Sequence, residues 1–134
     1  MTTHAAGTFD VKIGAQSDDF AKTANLGRMT IDKQFYGDLE GTSKGEMLSF
    51  GTGQKGSSGA YVALEQVTGT LNGRSGTFVL QHSATMTRGV PQLSLTVVPD
   101  SGTGQLVGLA GSMKIVITDG KHSYDFDYSL PASN

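Results

Sequence analysis

The sequence predicts an all-β fold of eight short antiparallel strands closed into a barrel, and three observations lead there. Apolar and polar residues alternate with a period of two through most of the chain. Asn72-Gly73 and Asp119-Gly120 each lie between two alternating runs. Such a pair is a strong hairpin signal, because a type I′ turn needs positive φ at both central residues. The 19 glycines are spread through the alternating runs rather than gathered into a linker, which suits tight turns and strongly bent strands.

The first strand spans about Thr8 to Ala15, where Phe9, Val11 and Ile13 alternate with Asp10 and Lys12. SDDFAKTAN, opening at Ser17 as a cap, reads as a short helical turn, too poor in apolar residues to be a core helix. Strands follow at about Arg28 to Tyr36, Leu39 to Phe50, Ala60 to Leu71, Arg74 to Met86, Gln92 to Val98, Gly111 to Thr118 and Lys121 to Leu130. Between two of them, GTGQKGSSG resembles a phosphate loop but lacks the Gly-Lys-Ser/Thr ending and a following helix, so it reads as a flexible hairpin loop. Eight strands close with an interior just wide enough for side chains or one small ligand. That favours a barrel, lipocalin-like in general shape, over a sandwich.

The Asn72-Gly73 turn sets a register. Leu71 pairs with Arg74, Val67 with Phe78, Glu65 with Leu80, Ala63 with His82 and Tyr61 with Ala84. One face then holds Tyr61, Ala63, Glu65, Val67, Leu71, Phe78, Leu80, His82 and Ala84, and the other is more polar, so the first points inward. Glu65 and His82 are diagonal neighbours on that face, with Cα atoms roughly 7 Å apart, and their side chains are expected to meet. Asp119-Gly120 likewise sets Ile117 against His122, Ile115 against Tyr124 and Met113 against Phe126.

Composition excludes several function classes. The chain is 134 residues long, the size of one domain spanning 1–134, with a core large enough to need no metal or disulfide staples. It has no cysteine, which removes disulfides, thiolate metal sites and a cysteine nucleophile. A formal net charge of −2 offers no basic field for nucleic acid. No apolar run approaches a membrane span of roughly 20 residues, and MTTHAAGTFD carries no signal region, so a soluble cytoplasmic protein is expected. His4, His82 and His122 form no His-x-His or His-Glu-x-x-His spacing, so no metal and no cofactor is expected. There is no Gly-x-Ser-x-Gly elbow for a serine nucleophile.

Glu65 and His82 remain as candidate acid and base, with Tyr61 beside them. A buried carboxylate and imidazole can simply satisfy one another. Alternatively, an apolar lumen raises the carboxyl pKa and fits the pair for proton transfer or for holding a ligand's polar end. Phe78 and Tyr124 complete the inward set, either as barrel filling or as ligand contacts.

GDLEGTSKGEMLSFG, GAYVALEQVTGTLNGRSGTFVLQHS, PQLSLTVVPDSGTGQLVGLAGSMKI and the terminal HSYDFDYSL together resemble an uncharacterised bacterial domain-of-unknown-function family grouped with the allene oxide cyclase barrels. The likeness covers nearly the whole chain. With the plant allene oxide cyclases it shares Asp-Lys-x-x-x-Gly-Asp-Leu, here DKQFYGDL, followed by Gly-x-x-x-Gly, here GTSKG. The resemblance implies an eight-stranded antiparallel barrel with a lumen open at one end, which in the plant enzymes holds a fatty-acid epoxide that cyclises without a cofactor. It places a cyclase pocket asparagine at Asp32 and a pocket cysteine at Met47, while the cyclases' first-strand glutamate has no counterpart. With Met47 facing the lumen, Gly41, Ser43 and Gly45 face it too, and Glu46, Leu48 and Phe50 face outward. The outward pair suits a subunit contact, giving a homo-oligomer, dimer or trimer.

Three functions fit these residues. One is a binding module whose lumen accepts a small apolar or amphipathic ligand, lined by Tyr61, Glu65, Phe78, His82, Met47, Asp32 and Tyr124. Another is a cofactor-independent isomerase, cyclase or hydrolase using Glu65 and His82 as acid and base. The third is a filled barrel acting through subunit or partner contacts. A cavity above about 300 Å³ would favour the first two.

Overall fold

A computed structural model describes residues 2–16, 26–51, 54 and 56–131. Eight strands run β1 (Thr3–Gln16), β2 (Gly27–Gly37), β3 (Leu39–Gly51), β4 (Gly59–Leu71), β5 (Arg74–Thr87), β6 (Val90–Val97), β7 (Ala110–Thr118) and β8 (Lys121–Ser129). Each pairs antiparallel with its neighbour in sequence, and β8 returns to β1, so the sheet closes into a barrel rather than a sandwich. The seam between β6 and β7 is the weakest, joined by the single pair Thr96 and Ser112. Among the described residues there is no α-helix, only a 3₁₀ turn at Gly104–Leu106, and so no helix long and apolar enough to cross a membrane. The helical turn expected from Ser17 lies outside the described residues, as does part of the loop between β3 and β4.

Both hairpin registers match the expected ones pair for pair. Leu71 opposes Arg74 and Ala63 opposes His82 across β4 and β5, and Ile115 opposes Tyr124 across β7 and β8. The turns supply the reason, with φ of 46° at Asn72 and 86° at Gly73, and 51° and 77° at Asp119 and Gly120. A third turn of this kind, Arg88-Gly89, joins β5 to β6 and starts β6 at Val90 rather than at Gln92. Pro91 is tolerated in the second position of that strand because proline is excluded mainly from strand interiors. β1 also begins earlier than expected, at Thr3. Its small residues Ala5 and Gly7 give little alternation, but they pair with Phe126 and Tyr124 of β8 and close the barrel.

The two ends of the barrel differ. One end is packed solid by Leu39, Leu71, Phe78, Phe126 and Tyr128, all buried, and Phe78 stacks on Phe126 with ring centroids 6.0 Å apart. The connection from β6 to β7 folds beneath this end. Thr77 N donates to the Thr103 hydroxyl at 3.0 Å, and Leu106 and Leu109 are buried against the core. At the opposite end Ile13, Leu93 and Ile117, on the inward-facing alternation of their strands, remain 49, 39 and 63 % exposed. An apolar side chain that points into a barrel yet meets solvent marks an unfilled mouth.

Candidate functional site

Four neighbouring strands project polar side chains into the middle of the barrel, between the packed end and the mouth. β2 supplies Lys33, β3 Ser43, β4 Tyr61 and Glu65, and β5 His82. Registers bring them together: Lys33 lies opposite Ser43, Glu65 opposite Gly45, and His82 opposite Ala63. Gly45 allows the close approach, since a Cβ there would sit 2.3 Å from the Leu64 carbonyl oxygen and 2.7 Å from the Glu65 Cβ.

Glu65 is the hub. Its Oε1 accepts from Lys33 Nζ at 2.9 Å and lies 2.5 Å from His82 Nε2, and its Oε2 accepts from the Ser43 hydroxyl at 2.5 Å. Lys33 is further held with its ammonium 4.8 Å from the Phe9 ring centroid and 5.7 Å from that of Phe35. Lys33, Ser43, Glu65 and His82 are all buried, and no buried side-chain nitrogen or oxygen among the described residues lacks a partner. Burial pushes the Glu65 carboxyl up. The His82 hydrogen bond, the Lys33 charge and hydrogen bond and the Ser43 hydrogen bond outweigh it and bring the pKa down to about 2. This corrects the expectation of a raised carboxyl pKa. Desolvation acts in the expected direction, but the His82 hydrogen bond and the ammonium of Lys33, with the Ser43 hydroxyl, together reverse the outcome.

An anionic Glu65 fixes the tautomer of His82. A carboxylate only accepts, so His82 Nε2 carries the hydrogen and donates it, and in the neutral ring Nδ1 is left with a lone pair. The Tyr61 hydroxyl lies 3.1 Å from that nitrogen and donates to it. Burial and the negative charge of Glu65 both push the Tyr61 pKa up, so Tyr61 is a phenol and not a phenolate. The chain of groups is thus hydroxyl, imidazole, carboxylate, ammonium, running from the mouth inward.

A cavity of about 620 Å³ lies at the rim of the mouth, lined by Met47, Ser49, Tyr61, Ala84 and Leu93 of the inner face and by the β3–β4 loop and β5–β6 turn at Gln54, Ser57 and Gly89. Tyr61 belongs to both this cavity and the buried cluster. Glu65 and His82 meet, as the hairpin register requires, but neither lines this mouth cavity: Tyr61 stands between them and it.

The remaining candidates separate. Met47 faces inward and lines the cavity. Phe78 is fully buried in the packed end. Tyr124 is buried as well, its hydroxyl accepting from Leu39 N at 2.8 Å and donating among the carbonyls of Tyr36 and Leu39. Neither touches the mouth. Asp32, placed in the pocket by resemblance, faces outward, because Ile31 and Lys33 on either side of it point in. It pairs there with Lys44 at 3.4 Å. Asp32 lies in a second groove of about 1080 Å³ across β2 to β5, with Lys44, Glu46, Leu48, Val62 and Leu64, which Met47 and His82 also border. Sequence reasoning missed Lys33, although it stands on the inward alternation between Ile31 and Phe35. Among the described residues no group of three or more His, Asp or Glu is placed to hold a metal ion.

No curated protein matches the chain. A solved structure of a protein of unknown function from the DUF3224 family of Shewanella oneidensis MR-1 is similar to it, with 48% identity over 99% of this chain and 100% of that one and a TM-score of 0.90. A family model described as a protein of unknown function, DUF3224, matches residues 5–128. The match begins at Ala5, the first buried residue of β1, and ends at Tyr128, the last buried residue of β8: the chain belongs to the DUF3224 family.

Proposed function

We propose that the protein binds a small, partly apolar molecule in the mouth of its barrel, with Tyr61 as the polar contact at the base of the site. The observation that carries this reading is the 620 Å³ cavity bordered by Tyr61, whose hydroxyl is hydrogen-bonded to His82 of the buried cluster. The volume lies within the range of small-molecule sites, and Met47, Ala84 and Leu93 give it apolar walls that a ligand would cover. A solid barrel acting only through partner contacts would fill that space.

Native mass spectrometry of protein purified from its own host tests the reading. A small molecule should be retained by the wild type and lost from Ala84→Phe, which puts a ring into the cavity opposite Tyr61 and removes no hydrogen bond. Equal retention by the two proteins would refute it.

A second reading, a cofactor-independent isomerase or cyclase of the allene oxide cyclase kind, is favoured by the order Tyr61, His82, Glu65. A phenolic hydroxyl backed by an imidazole that a carboxylate orients is suited to general acid and base work. In that case Tyr61 and His82 exchange the proton and Glu65 orients His82. On the outside, Leu48 opposes Val62 directly and Leu64 is 57 % exposed beside them. This patch supports the homo-oligomer, dimer or trimer, that the outward residues of β3 suggest.

A further inference from the structure

The polarity that Tyr61 presents to the mouth is set by one proton on His82. With His82 neutral, the Tyr61 O–H points at Nδ1, 3.1 Å away, and only the lone pairs of its oxygen are offered to a ligand. With His82 protonated, Nδ1–H donates to the Tyr61 oxygen and the phenolic hydrogen turns outward. Tyr61 then becomes a donor. The groups facing this imidazole are few. Glu65 on β4 bonds its Nε2, Lys33 on β2 and Ser43 on β3 hold Glu65, Leu95 opposes it on β6, and Tyr61 stands over its other nitrogen.

Charge then selects the ligand. Lys33 and Glu65 are 2.9 Å apart and offset one another, so a proton gained by His82 leaves the buried cluster with one surplus positive charge. The surplus is favourable if a negative charge appears next to Tyr61 at the same time. We infer that the mouth site takes an apolar molecule ending in an acidic hydroxyl, a phenol or an enol, and holds it as the anion with its proton moved onto His82. In the transfer the ligand O–H bond breaks and its proton forms a new O–H bond with Tyr61. The original Tyr61 O–H bond breaks and that proton forms the Nδ1–H bond of His82. Ligand anion and imidazolium are produced together, and Tyr61 ends as a neutral phenol donating to the ligand oxygen. No oxidant, reductant or metal takes part.

This inference rests on the mouth being a ligand site, and two probes separate the two claims. 4-Nitrophenol changes its absorption when it ionises; 4-nitroanisole has nearly the same shape and no acidic proton. Spectrophotometric titration of 4-nitrophenol with the wild type should move the ionisation midpoint of the bound dye down by about one pH unit or more, a tenfold preference for the anion. The His82 ring should protonate as the dye binds, as read by NMR. Tyr61→Phe keeps the ring and removes the conduit, so it should abolish the shift while 4-nitroanisole still binds saturably. If both dyes bind and the midpoint stays at its free value, or if Tyr61→Phe retains the shift, the proton transfer is refuted and the binding site stands. If neither dye binds saturably, both claims fall.

Discussion

Lys33→Met tests the buried cluster at the point the sequence does not reveal. Methionine keeps most of the stem that packs against Phe9 and Phe35 and removes the ammonium 2.9 Å from Glu65. Both side chains of the pair are almost wholly shielded, at 4 and 0 % exposure, so solvent screening gives little relief. Removing one partner of such a pair costs about 3–5 kcal/mol, because the other is left charged in an apolar setting. His82, 2.5 Å from the same carboxylate oxygen, is the remaining group able to supply a positive charge. Lys33→Met combined with Glu65→Gln removes both formal charges and should recover at least about half of the loss. Urea unfolding followed by circular dichroism reads this as a shift of midpoint at constant m. A loss below about 1 kcal/mol for Lys33→Met, the value of an exposed ion pair, would refute the claim that Glu65 depends on this ammonium.

The depressed Glu65 carboxyl makes stability depend on acid. Its folded pKa of about 2 lies below the ordinary 4.5, so its contribution is complete above pH 4.5 and is lost as pH falls toward 2. The loss is on the order of 3 kcal/mol, and an acid titration of Glu65→Gln should lack that part of the slope. Gly73→Val should destabilise by about 1 kcal/mol or more, because a β-branched residue tolerates the φ of 86° poorly; an unchanged thermal midpoint would count against the turn. Tyr124→Phe orphans the Leu39 N–H that its hydroxyl accepts from at 2.8 Å and should cost about 1–3 kcal/mol in the same assay. Light scattering should give a mass above one chain for the wild type and a monomer for Leu64→Lys, which puts a charge into the outward apolar patch; a wild-type monomer at high concentration would remove the oligomer.

What could be read from the sequence depended on where a turn dictates register. Asn72-Gly73 permits only a tight type I′ hairpin, so pairing on β4 and β5 follows residue by residue, and with it the meeting of Glu65 and His82. β2 and β3 join differently, at Gly37 and Asp38. The geometry there is held by distant groups: Asp38 accepts from Ala6 N at 3.0 Å, and the Tyr124 hydroxyl accepts from Leu39 N. Nothing local to DKQFYGDL states those contacts. Placing Lys33 beside Glu65 requires knowing them. Asp32 shows the complementary limit. A resemblance assigned it to a pocket, yet the alternation of Ile31, Lys33 and Phe35 already turned it outward, and alternation is the stronger physical constraint because a one-residue slip would put two of those apolar side chains into water.

The charge state of Glu65 was out of reach for the same reason. A carboxylate and an imidazole on an apolar face are compatible with either direction of pKa shift, since desolvation and hydrogen bonding oppose one another. His82 supplies the largest opposing contribution, and Lys33, 32 residues from Glu65 on another strand, adds its charge and hydrogen bond to it. Once Lys33 is in place the roles change hands. Glu65 stays anionic and holds the ring of His82, and the proton able to move toward a ligand belongs to Tyr61 and His82. Tyr61 stands between the buried charges and the mouth, so a proton relayed through it in the proposed transfer would leave the cluster closed to water. A cluster kept dry holds its electrostatic interactions at the strength of a low-dielectric interior.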